Sequence, residues 1–340
     1  MQENNLLSIF IPTFNRAHLI GETLDSFIIQ VAKYGIPIVI SDNCSTDDTY
    51  NVIAKYREKY PFIKYHKNAK NLGFDGNVAK MGELVNSKYC WLFGDDDLIN
   101  EGAIDKVLKR IDDDYDLIIA NASLSSLDLS VQFSYRHLLI DEDRKYNGNE
   151  IDKAFTDLIS YTSFIGGLIV KKKLWDSIDY SKYMNTGFIH VGTAFEYLDN
   201  SSNVYLISDP LTNIRLGNSG WSTNSFEILF VLWDKTIFNL PNFTNELKNK
   251  AYRNYREFSY VAFLIERAKG TFRYNEYTKY IKNDVVLSKT KKVSLFLILG
   301  VPIIVLKKLF IVYLNYRKPV AYEYQVYLLR SKKINKTKYL

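Results

Sequence analysis

The sequence has few residues of the types that build covalent or metal-held frameworks. Only two cysteines, Cys44 and Cys90, and four histidines occur among its 340 residues. Two thiols cannot form a disulfide framework or a zinc site with several thiolate ligands, and four scattered histidines argue against a histidine-rich metal centre. The first five residues also lack the basic and then apolar pattern of a secretory signal, so we expect a cytosolic protein.

Two nucleotide-binding signatures are missing as well. No GxGxxG follows the first apolar run, which disfavours a dinucleotide-dependent oxidoreductase, and no GxxxxGK[ST] occurs, which disfavours a P-loop nucleotidase. What is present is ordinary for a soluble globular chain, with 47% hydrophobic and 24% charged residues. Wholesale disorder, collagen and an integral membrane bundle are therefore excluded, and the length predicts one large domain or two smaller ones.

Acidic residues are almost absent from the end of the chain. Residues 289–340 contain 12 Lys and Arg but only one acid, Glu323, whereas residues 1–288 contain 32 basic and 37 acidic residues. A mildly acidic body with a strongly basic tail does not predict binding to nucleic acid along one face. It predicts a tail that meets an anionic surface.

Short apolar runs alternate with segments of helical spacing in the first third of the chain. The predicted strands are residues 6–11, 36–40, 62–66, 89–93 and 116–120, with helices between them. This alternation predicts an α/β fold with a doubly wound, mostly parallel sheet. Further on, we expect strands at 164–170 and 204–208 and a largely helical region at 226–283.

Polar residues follow the predicted strands, where ligands bind in such sheets. The most distinctive group is Asp95, Asp96 and Asp97, directly after the fourth strand. Three adjacent carboxylates repel one another, and a hard divalent cation with a phosphate-bearing ligand would relieve that repulsion. The alternative is a solvated turn that caps the next helix at Glu101.

Four segments carry a family resemblance: Leu7–Arg16, Ser41–Asp47, Asn71–Gly73 and Asp95–Asp97. In order and rough spacing they resemble family 2 glycosyltransferases with the GT-A fold, in particular the bacterial surface-polysaccharide branch that includes abequosyltransferase-like proteins. The resemblance implies a GT-A sheet followed by a C-terminal helical region. It also implies transfer of one sugar from a nucleotide-diphosphate donor, with Mn²⁺ or Mg²⁺ as cofactor.

The resemblance further implies roles for individual residues. Asp42 would accept a hydrogen bond from the nucleotide base, with a helix-capping acid as the alternative. Asp95, Asp96 and Asp97 would hold the metal, and Asp95 would also contact the donor. The remaining residues expected to line the donor pocket are Pro12, Thr13, Asn15, Arg16, Asn71 and Gly73.

The catalytic base departs from the family pattern. Family members commonly carry a Glu-Asp pair about twenty residues before a Pro-Leu segment and an arginine. Pro210 and Arg215 match the downstream end, but the position of the pair is occupied by His190. A histidine can take the proton of an acceptor hydroxyl. Glu196 is the rival base, and Asp199 is a weaker candidate.

Arg215 to Trp221 resembles the loop that closes over the donor in this family. Arg215 is expected to bind the diphosphate through its two-pronged guanidinium, and Trp221 to contact a sugar ring or anchor the loop. The predicted domains are a glycosyltransferase domain at 1–221, divided at 120 into donor and acceptor halves, a helical extension at 222–288 and a basic tail at 289–340.

The tail carries a charge-free stretch, Val293–Leu306, followed by Lys307 and Lys308 and a second apolar run. A lysine near the centre of a span is costly, so we expect an in-plane or re-entrant helix at an anionic membrane surface. A buried C-terminal helix is the alternative. The family resemblance implies an inverting enzyme that uses UDP or another nucleotide. Together with the tail, it implies a polyprenyl-diphosphate-linked glycan acceptor and a place on the inner face of a bacterial membrane. The competing hypothesis is a catalytically silent nucleotide-sugar or glycan-binding protein of the same fold.

Overall fold

The computed structural model describes residues 3–218, 224–252 and 259–317. The chain forms two compact units, and each consists of two segments. The first unit contains residues 1–215 and 236–251, and the second contains residues 216–235 and 252–340.

The first unit is built on one mixed sheet. Its strands in the described residues are β1 (Leu7–Thr13), β2 (Ile38–Asp42), β3 (Ile63–Lys67), β4 (Tyr89–Leu92), β5 (Leu98–Ile99), β6 (Leu117–Ser125), β7 (Gln132–Ser134), β8 (Arg144–Tyr146), β9 (Leu168–Lys171) and β10 (Val204–Arg215). Their spatial order is 3-2-1-4-9-6-10-5, with β7 beside β6 and β8 beside β10. The α/β fold with a mostly parallel sheet, expected from the sequence, is confirmed.

Strands β1 to β4 are parallel, and β1 lies between β2 and β4. The chain therefore moves outward from β1 to β3 and then returns to the other side of β1 at β4. In open α/β sheets the ligand crevice lies at this reversal, beyond the carboxyl ends of the strands. The loops after β1 and β4 meet there.

The helices in the described residues are mostly short. They are α1 (Ile20–Ala32), α2 (Thr49–Lys59), α3 (Gly73–Ala79), α4 (Met81–Leu84), α5 (Ala103–Asp112), α6 (Ile151–Leu158), α7 (Lys172–Asp176), α8 (Ile189–Glu196), α9 (Trp233–Phe238), α10 (Asn245–Ala251), α11 (Tyr260–Lys269), α12 (Tyr274–Glu276), α13 (Lys289–Leu299) and α14 (Ile303–Arg317). The segment between β3 and β4 contains two short helices, α3 and α4. The region expected to be largely helical at 226–283 also contains loops and two π-helical turns, Glu227–Leu232 and Tyr277–Ile281.

The core of the first unit explains why its helices cover the sheet. Phe27 on α1 contacts Trp91 and Phe93 edge to face, with ring centroids 6.4 and 4.6 Å apart. All three rings are fully buried. Burial of aromatic side chains of this size contributes several kcal/mol, and edge-to-face pairs add to it. This cluster fixes α1 against β4, just below the acidic run.

The acceptor half of the sheet contains antiparallel strands. β9 pairs antiparallel with both β4 and β6, and a 3₁₀ turn, Ile165–Gly167, precedes it. The strand expected at 164–170 therefore begins only at Leu168. β10 is longer than expected because it runs on through a bulge at Pro210 to Arg215. That extension brings Arg215 to the carboxyl end of β4.

Residues 236–251 belong to the first unit, although the sequence suggested a separate helical extension beginning at 222. The Phe243 ring stacks on Phe155 with centroids 4.1 Å apart, and the side-chain amide of Asn242 donates to the carbonyls of Phe195 and Leu198. These contacts hold the segment against α6 and α8. Isolated helical spacing in the sequence could not reveal them.

The second unit packs around an aromatic cluster. Phe226 stacks on Phe230 at 5.0 Å and also contacts Phe263 and Phe272. Within the described ranges, no one helix is long and apolar enough to cross a bilayer. The pair α13 and α14, bent by 100° at the break between them, has the combined length and hydropathy of a span.

Candidate active site

The loop after β1 contacts the acidic run after β4. The Arg16 guanidinium lies 3.4 Å from a carboxylate oxygen of Asp95 and 3.9 Å from one of Asp96. The two loops are neighbours because β1 and β4 are adjacent parallel strands. The sequence motifs that contain Arg16 and Asp95 therefore meet at one edge of the sheet.

Asp95 is a buried carboxyl group with an unfavourable charge balance. Burial and the neighbouring Asp96 carboxylate raise the pKa of Asp95 to about 7, although the Arg16 charge, the Thr13 hydroxyl and the Phe14 backbone N–H oppose the rise. An additional positive charge nearby would stabilise the ionised form of Asp95.

The Asp97 carboxyl group is also buried close to other acids, but it has a different hydrogen-bond partner. Its carboxylate accepts a hydrogen bond at 2.9 Å from the backbone N–H of Arg215. Burial, with the charges of Asp96 and Asp95, raises the pKa of Asp97 well above its usual value, against the opposing effect of Arg215. The short β5 strand, which pairs antiparallel with β10, fixes this geometry.

The Arg215 side chain lies within ion-pair distance of α1. One of its terminal nitrogens is 2.5 Å from a carboxylate oxygen of Glu22, whose side chain is largely exposed, while the arginine side chain itself is buried. Its Nε has no hydrogen-bond partner. The structure thus holds a buried guanidinium with an unused donor next to the acidic run.

The acidic run suits a divalent cation that also binds a substrate. Within the described part of the chain, no three acidic, histidine or cysteine side chains converge tightly enough to hold a metal alone. Mg²⁺ and Mn²⁺, however, are commonly held by one or two carboxylates together with phosphate oxygens. Asp95 and Asp97 are buried, and burial together with the neighbouring Asp96 charge raises the pKa of both carboxyl groups, so their chemistry fits such a cation.

Asp42 ends β2 with both carboxylate oxygens engaged. One oxygen accepts the backbone N–H of Ser45 at 2.7 Å, and the other accepts the Tyr65 hydroxyl at 2.5 Å. The side chain is fully buried. Asp42 therefore shapes the loop after β2 in this structure.

Asn15 joins the loops after β1 and β2. Its backbone N–H donates to the Ser45 hydroxyl at 2.8 Å, and its side-chain oxygen accepts the Thr46 N–H at 2.8 Å. Asn15 has a φ of 54°, a left-handed conformation that asparagine tolerates better than most residues. Pro12 and Thr13, at the end of β1, pair in register with Ser41 and Asp42.

Asn71 and Gly73 form a turn beside the same edge. The Asn71 side-chain oxygen accepts hydrogen bonds from Asn43 Nδ2 and from the Gly73 N–H, both at 2.8 Å. Gly73 has a φ of 73°, which explains the need for glycine. The turn is thereby tied to the end of β2.

His190 lies in the first turn of α8 and is 1% exposed. Its Nε2 is 3.3 Å from the carbonyl oxygen of Ser163. A carbonyl can only accept, so Nε2 carries the proton and Nδ1 carries a lone pair. Nδ1 has no hydrogen-bond partner. Burial lowers the pKa of His190 to about 4, so the imidazole is neutral at pH 7.

Glu196 lies on the same helix as His190 but on another side. Six residues correspond to about 240° around an α-helix. The Glu196 carboxylate pairs with Lys182 at 2.6 Å and accepts the Tyr183 hydroxyl. Asp199 is exposed and accepts hydrogen bonds from Ser201 in a local turn. Trp221 lies outside the described residues.

Comparison with known proteins identifies the family to which this chain belongs. The family model described as Glycosyl transferase family 2 matches residues 8–175. The abequosyltransferase RfbV of Salmonella typhimurium is 32% identical over 227 residues, which are 64% of this chain and 68% of the relative. The chain belongs to glycosyltransferase family 2. Family membership and the named relatives make it a transferase enzyme.

A second relative of this glycosyltransferase is more distant. It is the GalNAc(5)-diNAcBac-PP-undecaprenol beta-1,3-glucosyltransferase of Campylobacter jejuni, 28% identical over 139 residues. That match covers 40% of this chain and 45% of the relative, so the chain spans less than half of that protein's length.

Solved structures share the GT-A fold of this glycosyltransferase. Staphylococcus aureus TarS 1–349 in complex with UDP has a TM-score of 0.58 at 17% identity, covering 81% of this chain and 78% of that one. A mannosyltransferase from Pyrobaculum calidifontis in complex with GDP-Man and Mn²⁺ has a TM-score of 0.52 at 16% identity, covering 86% and 85%. At these identities the likeness concerns the fold.

Sequence reasoning missed the buried amides behind the site. Asn77 on α3 accepts a hydrogen bond from the Ser41 hydroxyl at 2.7 Å and one from Asn68 Nδ2 at 2.8 Å. It also missed Asp75, which contacts residues 187 and 189. The only signal for these residues was polar side chains within a predicted helix, and nothing in the sequence named their partners.

Proposed function

We propose that this glycosyltransferase moves one sugar from a nucleotide-diphosphate donor to a hydroxyl of a glycan acceptor in bacterial surface-polysaccharide synthesis. The observation that carries the proposal is the pair of buried carboxyl groups, Asp95 and Asp97, with Arg16 and Arg215 beside them. Two buried carboxyl groups whose negative charge is not fully balanced, with two arginines beside them, suit the binding of a divalent cation together with a diphosphate. The named relatives, an abequosyltransferase and a glucosyltransferase, support the reaction class.

Asp95, Asp96 and Asp97 are proposed to hold Mn²⁺ or Mg²⁺ together with the donor diphosphate. The cation, when bound, stabilises the charge that develops on the departing diphosphate. Arg16 and Arg215 stabilise the same charge through hydrogen bonds from their guanidinium groups. For this contact Arg215 offers its unpartnered Nε, or it exchanges its contact with Glu22 for one with the donor.

The nucleotide is proposed to bind at the ends of β1 and β2, where Pro12, Thr13, Asn15 and Asn71 lie. Asp42 is the proposed partner of the base. Because its two oxygens already accept hydrogen bonds from Ser45 and Tyr65, Asp42 must give up one of these bonds or share an oxygen lone pair. UDP is the first nucleotide to test, since the similar TarS structure contains UDP.

His190 is the proposed general base. Its neutral imidazole has a free lone pair on Nδ1, which can take the proton of an acceptor hydroxyl. One displacement by that hydroxyl inverts the anomeric configuration. Nδ1 is closed to solvent in this structure, so the acceptor must displace a neighbouring side chain to reach it. Glu196 is the less suitable base because both of its oxygens have protein partners.

The acceptor is proposed to be a polyprenyl-diphosphate-linked glycan on the inner face of the cell membrane. The Campylobacter relative, whose name includes an undecaprenol-linked glycan, supports this class. The second unit supports membrane contact through α13 and α14. Their exposed apolar side chains include Val293, Leu297, Ile304, Leu309, Val312 and Tyr316.

Charge complements that apolar surface. Residues 289–317 contain five lysines and one arginine but no acid. Exposed apolar side chains flanked by lysines are the pattern of a helix that lies in the headgroup region of an anionic leaflet. The 100° bend between α13 and α14 suits in-plane or re-entrant placement. Peripheral attachment through residues 289–340 is therefore part of the proposal.

Turnover distinguishes this proposal from a catalytically silent binding protein. The test is release of UDP from a panel of UDP-sugars with Mn²⁺, in the wild type and in Asp97→Asn. An enzyme slowly transfers the sugar to water, and Asp97→Asn abolishes that release. Binding of UDP without release from any donor in the panel would favour the silent alternative.

A further inference from the structure

The first turn of α3 lies between the donor edge of the sheet and the segment that carries His190. Asp75 and Phe74 are consecutive residues in that turn. Asp75 is 5% exposed, whereas Phe74 is 44% exposed. The reaction proposed above assigns no role to either residue.

On one side, α3 is fixed to the end of β2. Asn43, the residue after β2, donates to the carbonyl of Gly73 at 3.1 Å and accepts the Leu72 N–H at 2.8 Å. One turn later, Asn77 donates to the Ser41 carbonyl at 2.9 Å. These bonds hold both ends of the short helix to the strand that ends in Asp42.

On the other side, Asp75 binds the start of α8. Its carboxylate accepts the Gly187 N–H at 2.8 Å and the Ile189 N–H at 3.2 Å, across more than 110 residues of sequence. The first N–H groups of a helix have no partners within the helix, and a carboxylate at that end satisfies them. Next to it, the Phe74 ring meets the His190 ring edge to face at 5.8 Å.

Burying the Asp75 carboxylate costs free energy that an exposed carboxylate would not cost. Burial raises the pKa of its carboxyl group, and the backbone N–H groups of Gly187, Ile189, Thr186 and Asn185 oppose the rise. Asp and Asn commonly cap a helix from the residue just before it in the chain. Here the cap lies on another helix, so it fixes α8 relative to α3.

We propose that Asp75 is a positioning residue that holds His190 at a fixed place relative to the donor edge. Asp75 does this through the Gly187 and Ile189 N–H groups, and Phe74 completes the contact from the ring side. The inference rests on the proposed role of His190 as the base. Contacts from Asn43 through α3 to the start of α8, which carries His190, would then hold the donor and acceptor parts of the site together.

The test uses the full chain labelled with ¹³C-histidine and follows the four histidine rings by NMR across pH 3–8. The His190→Asn variant assigns the His190 signal. The test variants are Asp75→Asn, which keeps one acceptor oxygen, and Asp75→Ala, which keeps none. Asp143→Asn is the matched control, because Asp143 also accepts a backbone N–H from a distant segment, that of Ser208 at 2.9 Å.

If Asp75 positions His190, loss of its carboxylate frees the start of α8 and lets water reach the imidazole. The His190 titration midpoint should then rise by about one unit or more toward 6.5 in Asp75→Ala, and by less in Asp75→Asn. The control should leave it unchanged. Binding of UDP with Mn²⁺ should stay within about twofold of wild type in all three variants, since their donor residues are intact.

An unchanged His190 midpoint in both Asp75 variants would overturn the proposal. So would a loss of UDP binding in Asp75→Ala that the control does not share, because Asp75 would then support the donor pocket itself. If Asp75→Ala does not fold, Asp75→Asn alone decides. A wild type that binds no nucleotide contradicts the proposed function, whereas the histidine titration still decides the role of Asp75.

Discussion

The carboxylate of Asp97 accepts a hydrogen bond at 2.9 Å from the backbone N–H of Arg215, a residue 118 positions later in the chain. This bond joins the acidic run after β4 to the end of β10. It keeps the Arg215 guanidinium beside the carboxylates while the side chain contacts Glu22. Asp97 and Arg215 therefore interact electrostatically. Substitution of Asp97 and substitution of Glu22, the partner of Arg215, are expected to change donor binding in different ways.

The Asp97→Asn variant should fold and lose the metal-dependent function. The asparagine oxygen can still accept the Arg215 N–H, and removal of one charge relieves both the burial cost and the repulsion that raise the pKa of Asp97. We expect thermal stability without ligand at pH 7.5 to equal or exceed that of wild type. Affinity for UDP in Mn²⁺ should fall by about tenfold or more, measured by calorimetry. Equal affinity of the two proteins would contradict the metal assignment.

The Glu22→Gln variant should bind the donor diphosphate more tightly. Glu22 neutralises Arg215 in the ligand-free protein, so the diphosphate must compete with it. The Glu22 side chain is largely exposed, so the gain should be about 1 kcal/mol, or roughly fivefold in affinity. Titration with UDP and Mn²⁺ at low and high salt checks this, and the gain should shrink at high salt. Weaker binding by the variant would show that Glu22 supports Arg215 instead.

His190 should make the protein sensitive to acid. Its folded pKa of about 4 lies below the ordinary histidine value of 6.5, so the unfolded chain binds the extra proton as the pH falls between these values. Stability from neutral His190 is therefore complete above about pH 6.5 and is lost toward pH 4, by roughly 3 kcal/mol.

The measurement for this prediction is thermal unfolding of wild type and His190→Asn across pH 4–8. The stability difference between the two proteins should be constant above pH 7 and should shift in favour of the variant in acid. Comparing the two proteins removes the effect of the other titrating groups, which are common to both. A difference that does not change with pH would mean that His190 is solvated.

The exposed apolar side chains of α13 and α14 should bind anionic vesicles. Leu297→Asp combined with Val312→Asp places charges on that surface, and loss of two apolar contacts should weaken binding by about tenfold or more. Flotation with phosphatidylglycerol-containing and pure phosphatidylcholine vesicles measures the effect. Val285→Asp combined with Val286→Asp is the control, because it alters charge equally at two exposed valines outside both helices. Equal losses in both double variants would contradict the assigned surface.

The sequence predicted the donor half of the fold well because its signals are local. Strands β1, β2 and β4 are short, mostly apolar runs, and the polar groups that follow them lie at the same edge of the sheet. Arg16 and Asp95 are 79 residues apart, yet their contact follows from β1 and β4 being adjacent parallel strands. The family resemblance covers this same half.

The acceptor half was less predictable because its contacts depend on packing between distant segments. The bulge at Pro210 extends β10 to Arg215, and the stacking of Phe243 on Phe155 places residues 236–251 in the first unit. In the sequence, Asp75 is simply an acid near the start of a predicted helix, because nothing local indicates that its partners are Gly187 and Ile189. The burial of His190 is likewise a property of the folded chain.

The most direct test of the account is nucleotide binding by the wild-type chain. Thermal stability should be measured with UDP, CDP, GDP and dTDP, each in Mn²⁺, in Mg²⁺ and in EDTA. At about one hundred times its dissociation constant, a ligand adds about 2.7 kcal/mol of stability. We predict that one nucleotide stabilises the protein, that EDTA abolishes the effect and that Asp97→Asn reduces it by about half or more. Stabilisation by no nucleotide, or stabilisation equal with and without metal, would contradict a metal-dependent donor site at Asp95 and Asp97.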